Sequence, residues 1–139
     1  VELLKSFIVI NDLAIRIIDD PEVTMFIAYA VVGVLLAFAL GASAALTLTR
    51  NEAVTASMGK VGVPGTWFPW LASLKAAGAL GLLIGLGVPL IGSAAAVGVV
   101  LYFVGAVVTH LRVKDYEIAP PVVLALLAAA ALALRVLSA

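Results

Sequence analysis

The sequence predicts an all-α protein: a bundle of four transmembrane helices preceded by a short amphipathic helix. Three observations carry that prediction. Four apolar stretches, at about residues 25–48, 70–88, 92–111 and 119–138, fill nearly all of the chain after Met25. A helix rising about 1.5 Å per residue needs roughly 20 apolar residues to cross a hydrocarbon core about 30 Å thick, and each stretch has about that length. The 139 residues are 65% hydrophobic and only 12% charged, too few charges to cover a soluble domain of this size. The connections are short, so the spans make one bundle with little mass left for a soluble domain.

The same bulk properties exclude several function classes. A formal net charge of zero gives no reason to expect a nucleic-acid partner. The absence of cysteine removes thiol–disulfide chemistry, iron–sulfur ligation and thiolate metal sites from this chain. His110 is the single histidine, so one subunit cannot hold a bis-histidine haem. The first apolar run lacks a clear small-residue cleavage site followed by a soluble domain, and reads as a retained span.

Residues 1–24 form a unit distinct from 25–139. Leu3, Phe7, Ile10, Ala14 and Ile17 recur at spacings of three and four, with Lys5, Asp12, Arg16 and Asp19 on the other side. That pattern is an amphipathic helix, suited to lie on a membrane or against a partner. Because Met25 stands at the mouth of the first span like a start residue, a foreign fused segment is the competing reading of 1–24. Asp20-Pro21-Glu22 is a helix start: a capping aspartate, a proline that loses no hydrogen bond there, and an acid at the positive end of the dipole.

The first span then runs to about Thr49. Along it Gly33, Ala37, Gly41 and Ala45 repeat every fourth residue, and Ser73, Ala77, Gly81 and Gly85 do the same in the second. Such rows let helix backbones approach closely in lipid, either between these two spans or between subunits. Residues 50–69 hold a short helix capped by Asn51 and running to Met58, broken by Gly59, Gly62, Pro64 and Gly65. Trp67, Phe68 and Trp70 follow at headgroup level. A tight turn around Pro89 makes the second and third spans an antiparallel hairpin. A charged corner, from Arg112 to Glu117, joins the third to the fourth, a filler helix with no polar side chain before Arg135. Arg50, Lys60, Arg112 and Lys114 sit in the two charged connections, which the positive-inside rule places in the cytoplasm.

Ionisable groups at membrane depth are costly and few, so each is a candidate site residue. Lys75 lies about a turn and a half inside the second span. Counting outward from Pro89 brings it level with residues 103–105 of the third. Tyr102 and His110, eight apart, share a face of that span. Lys75, Tyr102, His110 and Arg112 therefore gather in one leaflet beneath Trp67 and Trp70. This cationic, aromatic-walled patch suits a quinone headgroup, an anionic lipid phosphate or a small anion. Each residue also has a purely structural reading: Lys75 snorkelling, His110 ending a helix, Arg112 binding lipid phosphate. With no paired carboxylates at depth, no metal-ligand spacing and no acid inside a span, a stand-alone enzyme or proton relay is not expected.

The run from Val61 to Asp115 resembles the DoxX-like family of small four-span membrane proteins. The resemblance rests on Val61-Gly-Val-Pro64, on Leu74-Lys75-Ala-Ala-Gly78 with Gly81 and Gly85, on Pro89, Gly92 and Ala95-Ala96, and on Gly105-Ala106-Val-Val-Thr109-His110-Leu-Arg112-Val-Lys-Asp115. It extends over about Met25 to Ala139. It implies an integral protein of a bacterial plasma membrane that serves as an accessory subunit of a redox complex, with quinone as the one implied cofactor. It equally implies an alternative, a non-catalytic assembly factor or chaperone packing on another membrane protein. The expected partners are the lipid bilayer and either a membrane protein or a second copy of the chain. The branch that gives the family its name tends to carry glutamate where this chain has Lys75.

Overall fold

A computed structural model describes residues 1–138, and its helices follow the apolar pattern. Helix α1 spans Glu2–Asp19, α2 Pro21–Leu48, α3 Glu52–Lys60, α4 Phe68–Ile84, α5 Pro89–Arg112 and α6 Ala119–Ser138. A single 3₁₀ turn over Gly65–Trp67 leads into α4. Four segments, Pro21–Leu48, Gly65–Ile84, Pro89–Arg112 and Ala119–Ser138, are long and apolar enough to cross a bilayer. They pack in a ring, α2 on α4, α4 on α5, α5 on α6 and α6 back on α2, so chain neighbours are also bundle neighbours.

The core is thin. Leu36 and Leu40 of α2, Leu82 of α4, Ala96 and Phe103 of α5 and Ala128 of α6 meet at its centre. The outward side chains are as apolar as the inward ones: Phe38, Leu80, Leu101 and Leu126 are all exposed. In water such a surface would aggregate; in lipid it needs no cover. The chain is an integral membrane protein.

Apolar length marks the spans but not their ends: the start read from Asp20-Pro21-Glu22 holds, the third span begins at Pro89 rather than residue 92, and the second ends early. The first span begins at Pro21, because Asp20 is extended and its carboxylate accepts from the Glu22 N–H at 3.0 Å. The residue before a proline resists helical geometry, which also ends α1 at Asp19. The second span stops at Ile84 instead of continuing to residue 88. Residues 85–88 are apolar but turn, since Gly85, Gly87 and the following Pro89 interrupt the helix. Hydropathy reads polarity and is blind to such a break.

The bundle has two unlike ends. At the turn between α4 and α5, backbones touch: Gly85 lies against Gly92, and a Cβ on Gly81 would come within 2.6 Å of Ala95 Cβ. The small residues of α4 thus close a seam with α5, while Ser73 and Ala77 of the same row face outward. Tyr29 of α2 donates to the Leu82 carbonyl at 2.8 Å, and Arg135 of α6 donates from Nε to the Gly85 carbonyl at 2.7 Å. The last carbonyls of a helix have no partner within it and carry the negative end of its dipole. A buried arginine at that end satisfies both needs. The filler helix of the sequence reading therefore carries one inward cation, which also stacks over Phe26 and Tyr29 at 5.2 and 5.4 Å.

At the opposite end three helices finish in the same way. Arg50, Gly62 and Lys114 take positive φ of 53°, 77° and 57°. Behind each, a backbone bond closes the helix end: Asn51 N–H to the Leu46 carbonyl, Val63 N–H to Met58 and Asp115 N–H to His110. These are Schellman ends. Asn51 then caps α3 by accepting from the Ala53 and Val54 N–H groups. The reversal after α2 lays α3 across the end of the bundle.

Candidate functional site

Beneath α3 lies a cavity of about 660 Å³. Val54, Ser57 and Met58 of α3 form its roof, and Trp67, Leu71 and Leu74 one wall. Tyr102, Thr109 and His110 of α5 form the facing wall, closed by Pro121 and Leu124 of α6. Volume and lining are those of a small-molecule pocket: mostly apolar, with a few polar groups converging.

Lys75 lies at the inner end of this cavity and is 8% exposed. Its Nζ donates to Ser43 Oγ of α2 at 2.8 Å and stands 5.7 Å from the centre of the Tyr102 ring. Both contacts favour a cation, the second through the negative face of the ring. Neither neutralises it. Among the described residues, no carboxylate lies within ion-pair distance of Lys75. An ammonium offers three donors, and Ser43 takes one.

His110 lines the same cavity nearer its aqueous end. Its Nδ1 lies 3.0 Å from Asp115 Oδ2. An ionised carboxylate only accepts, so Nδ1 carries the hydrogen and Nε2 is left as the free ring nitrogen. Asp115 is held in turn by the Glu117 N–H at 3.1 Å, and Lys60 of α3 lies 3.9 Å from both Asp115 and Glu117. These groups tie the end of the roof helix to the corner between α5 and α6. The Glu117 N–H first, then His110 and Lys60, hold the Asp115 carboxyl below the usual carboxylate range.

A carboxylate with a depressed pKa supports the fold above its ordinary value and loses that support as pH falls through its folded value. The tie should therefore be intact at neutral pH and fail only below about pH 4. In a Trp70→Phe background, where Trp67 is the remaining tryptophan, its emission should change in one acid step. Asp115→Asn should remove that step and leave the neutral-pH spectrum close to that of the acidified parent. An unaltered step in the variant would assign the change to another group.

Of the six residues singled out from sequence, Lys75, His110, Tyr102 and Trp67 border one cavity. Trp70 and Arg112 do not: Trp70 is 75% exposed, and Arg112 is exposed at the end of α5. Helix geometry accounts for both. Trp70 precedes Lys75 by five positions, about 140° round the helix, whereas Leu71 precedes it by four and shares its face. Arg112 follows His110 by two positions, about 200° away. Ser43, the direct partner of Lys75, carries no signal in the sequence. Among the described residues no group of three His, Asp or Glu side chains is placed to hold a metal ion.

The model of the DoxX-like family matches residues 31–131. The match takes in the cavity walls on α4 and α5 and the roof helix, and leaves α1 outside. No curated protein and no solved structure matches the chain.

Proposed function

The chain belongs to the DoxX-like family, and from that premise we propose that it is an accessory subunit of a membrane redox complex, binding the head of a quinone or an anionic lipid at Lys75. The reading rests on one observation: a lysine 8% exposed, at membrane depth, aimed into a cavity with one hydroxyl partner and no carboxylate. A cation left so in lipid is expensive, and a ligand offering acceptor oxygens would relieve it. A quinone carbonyl and a lipid phosphate are both such acceptors. Trp67 and Tyr102 supply flat walls for a ring, and His110 Nε2 a further polar contact. Trp70 and Arg112 serve at the headgroup level outside the cavity.

The test uses the protein in phosphatidylcholine nanodiscs, titrated with decylbenzoquinone in one arm and phosphatidylglycerol in the other. Lys75→Met should weaken the preferred ligand about ten- to a hundredfold, the equivalent of one hydrogen bond to a charged group. The variant should keep its helical signal and melting behaviour. Unchanged binding of both ligands, or loss of the fold, would overturn the reading and make the lysine structural.

A second reading has its own support. Helix α1 buries none of its residues, and Leu3, Phe7 and Ile10 stand exposed along it. A helix of this kind lies on a bilayer surface or packs on a partner. The partner case fits an assembly factor. Stoichiometric co-purification of a membrane protein, lost on deletion of 1–20 and unaffected by Lys75→Met, would favour it.

A further inference from the structure

A second hollow, about 500 Å³, runs along the seam between α4 and α5 on the outer side of the bundle. It shares Leu74, Lys75, Leu101, Tyr102 and Phe103 with the cavity beneath α3. The two spaces therefore meet at the lysine. From there the seam descends past Gly78 and Gly98 to Ala95, a rise of about 12 Å along α5 from Phe103. Beyond Lys75 and Tyr102 its lining is wholly apolar. Gly98 keeps it open, since a Cβ there would meet nothing within 4 Å. A cavity where a few polar groups converge and a furrow that is apolar beyond the lysine, joined at one buried cation, have the shape of a two-part amphiphile.

We propose that the α4–α5 furrow holds the hydrocarbon tail of the molecule whose head occupies the Lys75 cavity, and that this molecule enters sideways from the bilayer. The proposal rests on the head-binding reading and adds the ligand's chemical class: a polar acceptor head carrying at least one apolar chain. It also assigns the route. Leu74 and Leu101, where the two spaces meet, are exposed on the outer, apolar side of the bundle, so the furrow offers a route from the bilayer, while α3 lies over the aqueous end. A water-soluble head without a chain would have neither the furrow contacts nor the entry path.

The experiment uses two probes, an alkylbenzoquinone and a phosphatidylglycerol, each carrying a photoreactive diazirine in its chain. The protein is irradiated in phosphatidylcholine nanodiscs and the adducts are mapped by mass spectrometry. For the probe that binds, tail adducts should concentrate on the stretches 74–78 and 95–101. They should fall at least tenfold in Lys75→Met, because the head no longer anchors the chain. Gly98→Leu should abolish them while α5 stays helical. Adducts in the furrow at equal yield without Lys75 would mean bulk lipid alone, and would overturn the tail assignment. Head binding retained with adducts on α3 instead would overturn the lateral route yet leave the head site standing. No binding of either probe to the parent protein would defeat the head reading and this proposal with it.

Discussion

Gly85→Leu is expected to lower the stability of the bundle by about 3 kcal/mol or more, the upper range for forcing atoms into a packed site. Gly85 has φ −60°, an ordinary helical value that any residue adopts, so its conformation does not explain the glycine. Approach does. A Cβ at this position would press on Gly92 Cα and come within 2.5 Å of the Tyr29 hydroxyl. Tyr29 can swing away only by giving up its bond to the Leu82 carbonyl. Gly92 Cα is backbone and cannot rotate aside, so α4 and α5 must separate at their turn. The crowding is mutual, for a Cβ on Gly92 would lie 2.8 Å from both Gly85 Cα and the same hydroxyl. Denaturant titration of the micelle-bound protein measures the loss. Gly98→Ala is the control, since open space surrounds it and the helix gains up to about 1 kcal/mol from alanine. Equal behaviour of the two variants would refute the close approach.

The pair Gly85 and Gly92 also marks the limit of what the sequence makes legible. Apolar length alone locates four spans, because lipid leaves a helix few alternatives. The short turn at Pro89 then fixes the register of α4 against α5. Register is why the level of Lys75 against residues 103–105, and its nearness to Tyr102 and His110, follow from counting. No such count links α2 to α4, for some twenty residues and a separate helix intervene. Ser43 was invisible for that reason. Trp70 and Arg112 had the correct depth and the wrong azimuth, and depth is what an aromatic or basic residue near a span end reveals. Azimuth needs the helical angle from a neighbour already placed, as Leu71 provides beside Lys75. The roof formed by α3 begins with the left-handed residue Arg50, which does not advertise a reversal as Gly62 does at the other end of α3.

Arg135 is the clearest case of a residue whose position in the sequence conceals its role. Near the end of the last span it reads as a terminal cation, yet it is 4% exposed and turned inward. Its Nη1 donates to Ser138 Oγ within α6 at 3.1 Å, but its partner across the bundle is a backbone carbonyl, which any residue could have supplied, so no side-chain pattern announces that bond. Arg135→Met is expected to cost about 2 kcal/mol. Two effects oppose each other. Removing the cation relieves the cost of burying it, and in a dry interior that relief can cancel the loss. Here the charge faces the Gly85 carbonyl at the negative end of α4 and the rings of Phe26 and Tyr29, so it is well compensated. Methionine would leave the Gly85 carbonyl without that donor, and a hydrogen bond to a charged group is worth about 1.5–3 kcal/mol. The loss therefore exceeds the relief. Arg135→Lys should recover part of it, because the charge remains while the fixed Nε geometry does not. A methionine variant as stable as the parent would mean that desolvation and hydrogen bonding balance at this site. The end of α4 would then rest on the Tyr29 bond to the Leu82 carbonyl and on the packing of Gly85 against Gly92.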